Sequence, residues 1–164
     1  MSEINEYLKE AEVVALAPAP EMLADAVKKV LADTVVFYFK AHSFHWNVTG
    51  SNFPQYHEFF GNVYEQVYGN VDRIAEEIRA LGVMAPKNLA SLIAASNLTE
   101  NTGDLDATAM FNALSADNQK ILAGLLACQK MAEAVNQVGL ANYLQDLFDA
   151  HKKLAWMLAA TLKV

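Results

Sequence analysis

Residues 42–82 read HSFHWNVTGSNFPQYHEFFGNVYEQVYGNVDRIAEEIRALG. From Tyr56 onward, Phe59, Phe60, Val63, Tyr64, Val67, Val71, Ile74 and Ile78 recur at three- and four-residue spacing, the period of a helix with one buried face. Gly50 and Ser51 break the chain ahead of it. Ser51 or Asn52 can cap the new helix, and Pro54 falls in its first turn, where a missing N–H costs nothing. Gly82 stops it. The reading is one helix from about Pro54 to Gly82, entered through a tight turn. Three of the chain's four histidines, His42, His45 and His57, crowd that turn.

The flanks continue the pattern. Met22, Val27, Val30, Leu31, Thr34, Val35 and Tyr38 predict a first long helix from about Glu21 to Trp46. Residues 83–104 form a connection holding Pro86, a short helix near KNLASLIAAS, and a loop with Gly103. A third helix is expected from about Asp106 to Gln137, punctuated by Gly139, and a fourth over LANYLQDLFDAHKKLAWMLAATL. No segment alternates as a strand does. Four long helices, two short turns and one long connection predict an all-α fold, a four-helix bundle whose B–C crossover carries a short extra helix. At about 3.3 Å per extended residue that connection can travel the bundle's length. The bundle domain is expected over 21–164. Residues 1–20 form an N-terminal extension set off by Pro18 and Pro20, with a short amphipathic helix at 3–14.

The chain has 164 residues, 54% of them hydrophobic and 19% charged, which fits one domain with a full core. No apolar run reaches the roughly 18 residues of a membrane span. The opening MSEINEYLKEAEVV is acidic and lacks the pattern of a secretory signal. Cys128 is the one cysteine, expected as an inert buried thiol, so a cytoplasmic setting is expected. The formal charge is −7, and residues 1–20 carry Lys9 against four glutamates. Duplex DNA is held largely by lysines and arginines that neutralise phosphates. Direct DNA binding is therefore not expected, and cations are the better electrostatic partners.

Folding the turn brings His45 and His57 to one end of a helical hairpin. Asp72 and Glu76 lie four apart and so share a face on which both can grip an ion, with Glu65 approximately in line. Imidazole plus carboxylate suits iron, zinc or manganese. Fifteen residues separate His57 from Asp72, roughly 22 Å of helix, so one chain cannot bring both groups to one ion. A shared site needs a second subunit lying antiparallel across a two-fold axis, which creates two sites at once. The alternative from spacing alone is that the histidines cap helix ends while Asp72, Glu76 and Glu77 pair with Arg73 and Arg79. No Glu-x-x-His pattern is present, so a di-iron site inside the bundle is not supported.

Residues 42–82 strongly resemble the Dps family of ferritin-like proteins. The family pattern is a His-Trp-Asn-Val-x-Gly-x-Asn-Phe turn, a second His twelve residues after the first, then Asp-x-x-x-Glu. It falls here on His45, Trp46, Asn47, Val48, Gly50, Asn52, Phe53, His57, Asp72 and Glu76. The C-terminal HKKLAWMLAATL is similar to the family's last helix. The resemblance implies a ferritin-like bundle assembled as a dodecameric shell. It also implies Fe(II) oxidation, usually by hydrogen peroxide, with ferric iron stored inside. Its ferroxidase sites would lie at two-fold interfaces, taking His45 and His57 from one subunit and Asp72 and Glu76 from its mate. Trp46 resembles a family tryptophan able to accept a radical; interfacial packing is the other reading. Asp146 and Asp149 would line a three-fold pore for iron. One position departs from the pattern: Gly61 stands where the family generally carries an acidic ligand. Either Glu65 compensates or the second metal position is weak. Two other functions stay open, a DNA-compacting stress protein and a structural cage with a degenerate metal site. His42 is expected in a core or cap role, and His151 as a surface or subunit contact.

Overall fold

Six helices follow one another among the described residues, which in this computed structural model are 20–162. They are α1 (Pro20–Asn47), α2 (Phe53–Tyr68), α3 (Val71–Ala80), α4 (Leu89–Ala95), α5 (Ala107–Ala134) and α6 (Val138–Thr161). No strand occurs among these residues. Helix α1 packs on α2, α3 and α5, and α5 packs on α6. With α2 and α3 in line as one arm, this is the expected four-helix bundle. The helix expected at 3–14 lies outside the described residues.

The turns follow local chemistry. Gly50 at φ 118° and Gly82 at φ 81° take the left-handed backbone that ends α1 and α3, a conformation costly for any residue with a Cβ. Asp106 caps α5 through Oδ1, which accepts from Ala109 N–H at 2.8 Å, and Asn88 caps α4 through Ser91 N–H at 2.9 Å. Two expectations are corrected. The second long helix is not continuous, because it breaks at Gly69–Asn70 into α2 and α3. The α5–α6 corner turns at Asn136, at φ 57°, while Gly139 sits inside α6. Asparagine tolerates that region better than most residues, so it does the work assigned to glycine.

Phe37, Phe44, Phe60 and Phe111 lie at the centre, with Phe60 and Phe111 rings 4.6 Å apart. Burying each ring contributes about 1.5–3 kcal/mol. Polar groups fasten the crossover to this core. Buried Asp33 accepts from Ser96 Oγ at 2.7 Å, Asn97 N–H at 2.6 Å and Asn97 Nδ2 at 3.1 Å. Buried Lys40 donates to Thr99 O at 2.7 Å and pairs with Asp117 of α5. Removing either partner of such a buried pair costs about 3–5 kcal/mol, because the other charge is left stranded.

His151 is not on the surface, contrary to its expected role. It is buried, its ring edge meets Phe37 at 5.9 Å, and its Nδ1–H donates to Asn118 Oδ1 at 2.6 Å. Asn118 Nδ2 returns a bond to His151 O at 2.9 Å. Burial pulls the His151 imidazole down to about 4 from an ordinary 6.5. Unfolded chains therefore take up a proton near pH 6.5 that the folded chain refuses. The stabilisation is complete above that pH and is lost as pH falls towards 4. Between pH 7 and pH 5 the wild-type unfolding free energy should drop by about 2 kcal/mol more than that of His151→Gln, as read by scanning calorimetry.

Candidate metal centre

The end of α1 and the first turns of α2 face each other across the Asn47–Asn52 turn. His45 Nδ1 lies 2.7 Å from His57 O, and His57 Nδ1 lies 2.7 Å from His45 O. A carbonyl oxygen only accepts, so each Nδ1 carries a proton and Nε2 is the one nitrogen of each ring that can offer a lone pair. The rings stack with centroids 3.7 Å apart and planes 22° apart. Both imidazoles are thus fixed in orientation and tautomer by backbone carbonyls, the arrangement typical of histidines that ligate metals.

Gly61 forms the floor beneath His45. A Cβ there would lie 3.2 Å from His45 Nδ1 and 3.3 Å from Cε1. Such contacts are too short to be comfortable, and the ring that would have to yield is held by a hydrogen bond and a stacking partner. The missing side chain at 61 therefore does more than remove a ligand. It lets the imidazole rest directly on the α2 backbone. Glu65, one turn further on, is exposed and accepts weakly from Tyr64 Oη at 3.4 Å.

His42 belongs to an aromatic cluster beside the pair. Its ring stacks on Tyr64 at 3.8 Å and 15°, and meets Trp46 at 4.1 Å and His45 at 6.2 Å. Its buried Nδ1 has no hydrogen-bond partner among the described residues. Burial, and after it the neighbouring His45, lower its pKa below the ordinary value. Trp46 is 56% exposed and touches Phe39 edge-on at 6.2 Å.

The carboxylates stand apart from this end of the molecule. Asp72 occupies the first turn of α3 and Glu76 the next, both exposed. The pairing with arginine that spacing allowed does not form at these two residues. Arg73 reaches Glu77 at 3.9 Å, and Arg79 donates to Val83 O at 3.1 Å. Among the described residues no three His, Cys, Asp or Glu side chains gather closely enough to hold a metal ion. One chain brings the two histidines together and leaves the carboxylates elsewhere. Asp146 and Asp149 are exposed on α6, where Asp149 accepts from Gln145 at 3.2 Å.

The fold and the chain's relatives agree. A ferritin-like domain profile matches residues 24–164. The DNA protection during starvation protein of Brevibacillus brevis is 29% identical over 143 residues, covering 87% of this chain and 96% of that protein. Dps from Staphylococcus aureus superposes with a TM-score of 0.87 at 26% identity, covering 90% of this chain and 99% of that one. The chain is a ferritin-like protein of the Dps family. Dps from Vibrio cholerae O1, described as belonging to a broad superfamily of ferritin-like diiron-carboxylate proteins, gives a TM-score of 0.84 at 26% identity. That match covers 88% of this chain and 91% of the other.

The reciprocal bonds were not legible in the sequence, although the His45–His57 approach was. The contact between Gly61 and His45 has no sequence signal beyond the unusual glycine within a helix. Gly61→Ala should gain about 1 kcal/mol of helix propensity while displacing His45. Titrated Zn(II) should then bind severalfold more weakly, with no loss of thermal stability to match.

Proposed function

We propose that this Dps-family protein is a cytoplasmic ferroxidase and iron-storage protein. It oxidises Fe(II) with hydrogen peroxide and retains ferric iron in a dodecameric shell, limiting oxidative damage. The observation that carries this reading is the His45–His57 pair: neither Nε2 takes part in a hydrogen bond among the described residues, and the only Asp-x-x-x-Glu pair in the sequence lies elsewhere on the chain. A site shared across a two-fold axis reconciles the two. Support comes from exposed Phe39 and Leu89, which with half-buried Val35 and Ile93 line a recess of about 320 Å³; Phe39 in turn meets exposed Trp46. Exposed apolar side chains grouped in this way suit contact with a second chain.

In this reading Fe(II) is the substrate. Asp72 and Glu76 of one subunit neutralise the cation and favour the ferric state, while His45 and His57 of its mate complete the coordination. Each peroxide takes two electrons, one from each of two Fe(II) ions. Gly61 offers no ligand, so a second ion would be held by Glu65 or by water and bind more weakly than the first. Metal titration with anomalous diffraction should find one strongly occupied position per site; two full ones would refute this. Zinc and manganese suit the same donors and would compete. Trp46, beside the histidines, is placed to give up an electron to a misdirected oxidant. Asp146 and Asp149 are the acids proposed to line the route for incoming iron. A net charge of −7 provides little to neutralise phosphates, so direct DNA binding is not part of the proposal.

Replacing His45 and His57 together with Ala should slow peroxide-driven Fe(II) oxidation on the order of a hundredfold in stopped-flow absorbance, with the shell mass unchanged. Unaltered rates would refute the assignment. Shells reassembled from equal parts of that variant and Asp72→Ala/Glu76→Ala should regain about one quarter of the wild-type activity, because one site in four then draws intact halves from two chains. No recovery would mean the site is not shared. A gel shift with duplex DNA at low salt should show no complex.

A further inference from the structure

The break at Gly69–Asn70 falls between the two halves of the candidate centre, and it is held by specific bonds. Asn70 stands at the cap position of α3 without capping it. Its Nδ2 donates to Gln66 O at 2.9 Å, closing the last turn of α2. Its Oδ1 accepts from Tyr143 Oη–H at 3.2 Å, and the same hydroxyl lies 3.5 Å from Asn70 O. Tyr143 is a buried residue of α6, so the break is tied to the far side of the bundle. Burial pushes its phenol up to about 12, with Arg73 pulling against that and Glu77 adding to it, so the hydroxyl keeps the proton that it donates.

The ring of Tyr143 has a second task. The Arg73 guanidinium lies over it, 3.7 Å from the centroid, while Arg73 Nε approaches Glu77 at 3.9 Å. Arg79 is occupied by Val83 O and by Met84 Sδ at 2.8 Å. Both arginines of α3 are thereby engaged away from Asp72 and Glu76, which form no ion pair among the described residues. An arginine on either carboxylate would have to be displaced before a cation could bind.

We propose that Tyr143 is a positioning residue for the carboxylate half of the metal centre. Its hydroxyl fixes the helix break at Asn70 and its ring holds Arg73 aside, so that Asp72 and Glu76 are presented unpaired to an incoming cation. This rests on the reading of those two carboxylates as ligands. Partners that orient metal ligands typically change affinity by about 10–100-fold, and Tyr143, acting through Asn70 and one helical turn, belongs at the lower end.

The test is anaerobic calorimetric titration of assembled shells with Fe(II) and, separately, Zn(II), with thermal unfolding and shell mass measured alongside. Tyr143→Phe keeps the ring under Arg73 and removes only the hydroxyl. It should weaken both metals about tenfold. Asn70→Ala removes the acceptor and should do the same, which preserves the test if Tyr143→Phe fails to assemble. The double variant should be no weaker than Asn70→Ala alone, because the side-chain bond that Tyr143→Phe removes is already lost there, together with the Asn70–Gln66 bond. Wild-type affinity in Tyr143→Phe, even with a lower Tm, would overturn the proposal, as would fully additive losses. If wild-type shells bind these metals while the variants are unaffected, only this proposal fails. If wild-type shells bind neither metal, the ferroxidase reading fails and takes it along.

Discussion

Two imidazole N–H groups, each given to the carbonyl of the other residue, close the turn between α1 and α2. The orientation of both histidines at this end of the molecule depends on that exchange. It ties the last turn of one helix to the first turns of the next, twelve residues on, and gives a partner to the His45 carbonyl, one of the last four that the geometry of α1 leaves without one. It also decides which nitrogen of each ring is free. A histidine that only capped a helix would need one such bond. Two reciprocal bonds with stacked rings make a rigid pair in which the second ring nitrogen of each histidine takes no part in the exchange.

A similar economy governs the crossover. A connection of this length loses much conformational entropy on docking, and apolar contacts from one short helix offset little of it. Buried charges fix where it docks, since each would be left stranded in any other register. Asp33 collects three donors from Ser96 and Asn97, while Lys40 reaches both Thr99 and Asp117. All of these attach to α1, the helix that also carries His42, His45 and Trp46. The helix that bears His42 and His45 is therefore also the one to which the crossover is fastened.

Much of this architecture could be read from the sequence, because periodicity and punctuation are local. Apolar spacing gave the long helices, Gly50 and Gly82 gave their ends, and the 83–104 connection with its short helix was visible as a change of pattern. What escaped was set by contacts between distant residues. Nothing near Gly69 says that Tyr143, more than seventy residues away, will bind Asn70 where the helix breaks. His151 sits beside two lysines and so looked exposed, yet Asn118 on another helix gives it a buried partner. The two halves of the candidate centre were legible as residue types, since histidine and carboxylate are informative wherever they stand. Their separation was legible too, from helical rise. The freedom of Asp72 and Glu76 from arginine was not, because spacing alone allowed both pairings.

The bare backbone at Gly61 has a consequence for how such a site can change over generations. With the ring of His45 lying against it, even a methyl group crowds the pair, and an acidic side chain would need more room still. Any side chain gained at this position therefore asks His45 to give way by a few tenths of an ångström, and the ring it presses on is the one held by a bond to the first turns of α2. A change at 61 is thus felt first in the orientation of an imidazole and only then in the helix that carries it, so stability and ligand geometry are set separately by one position.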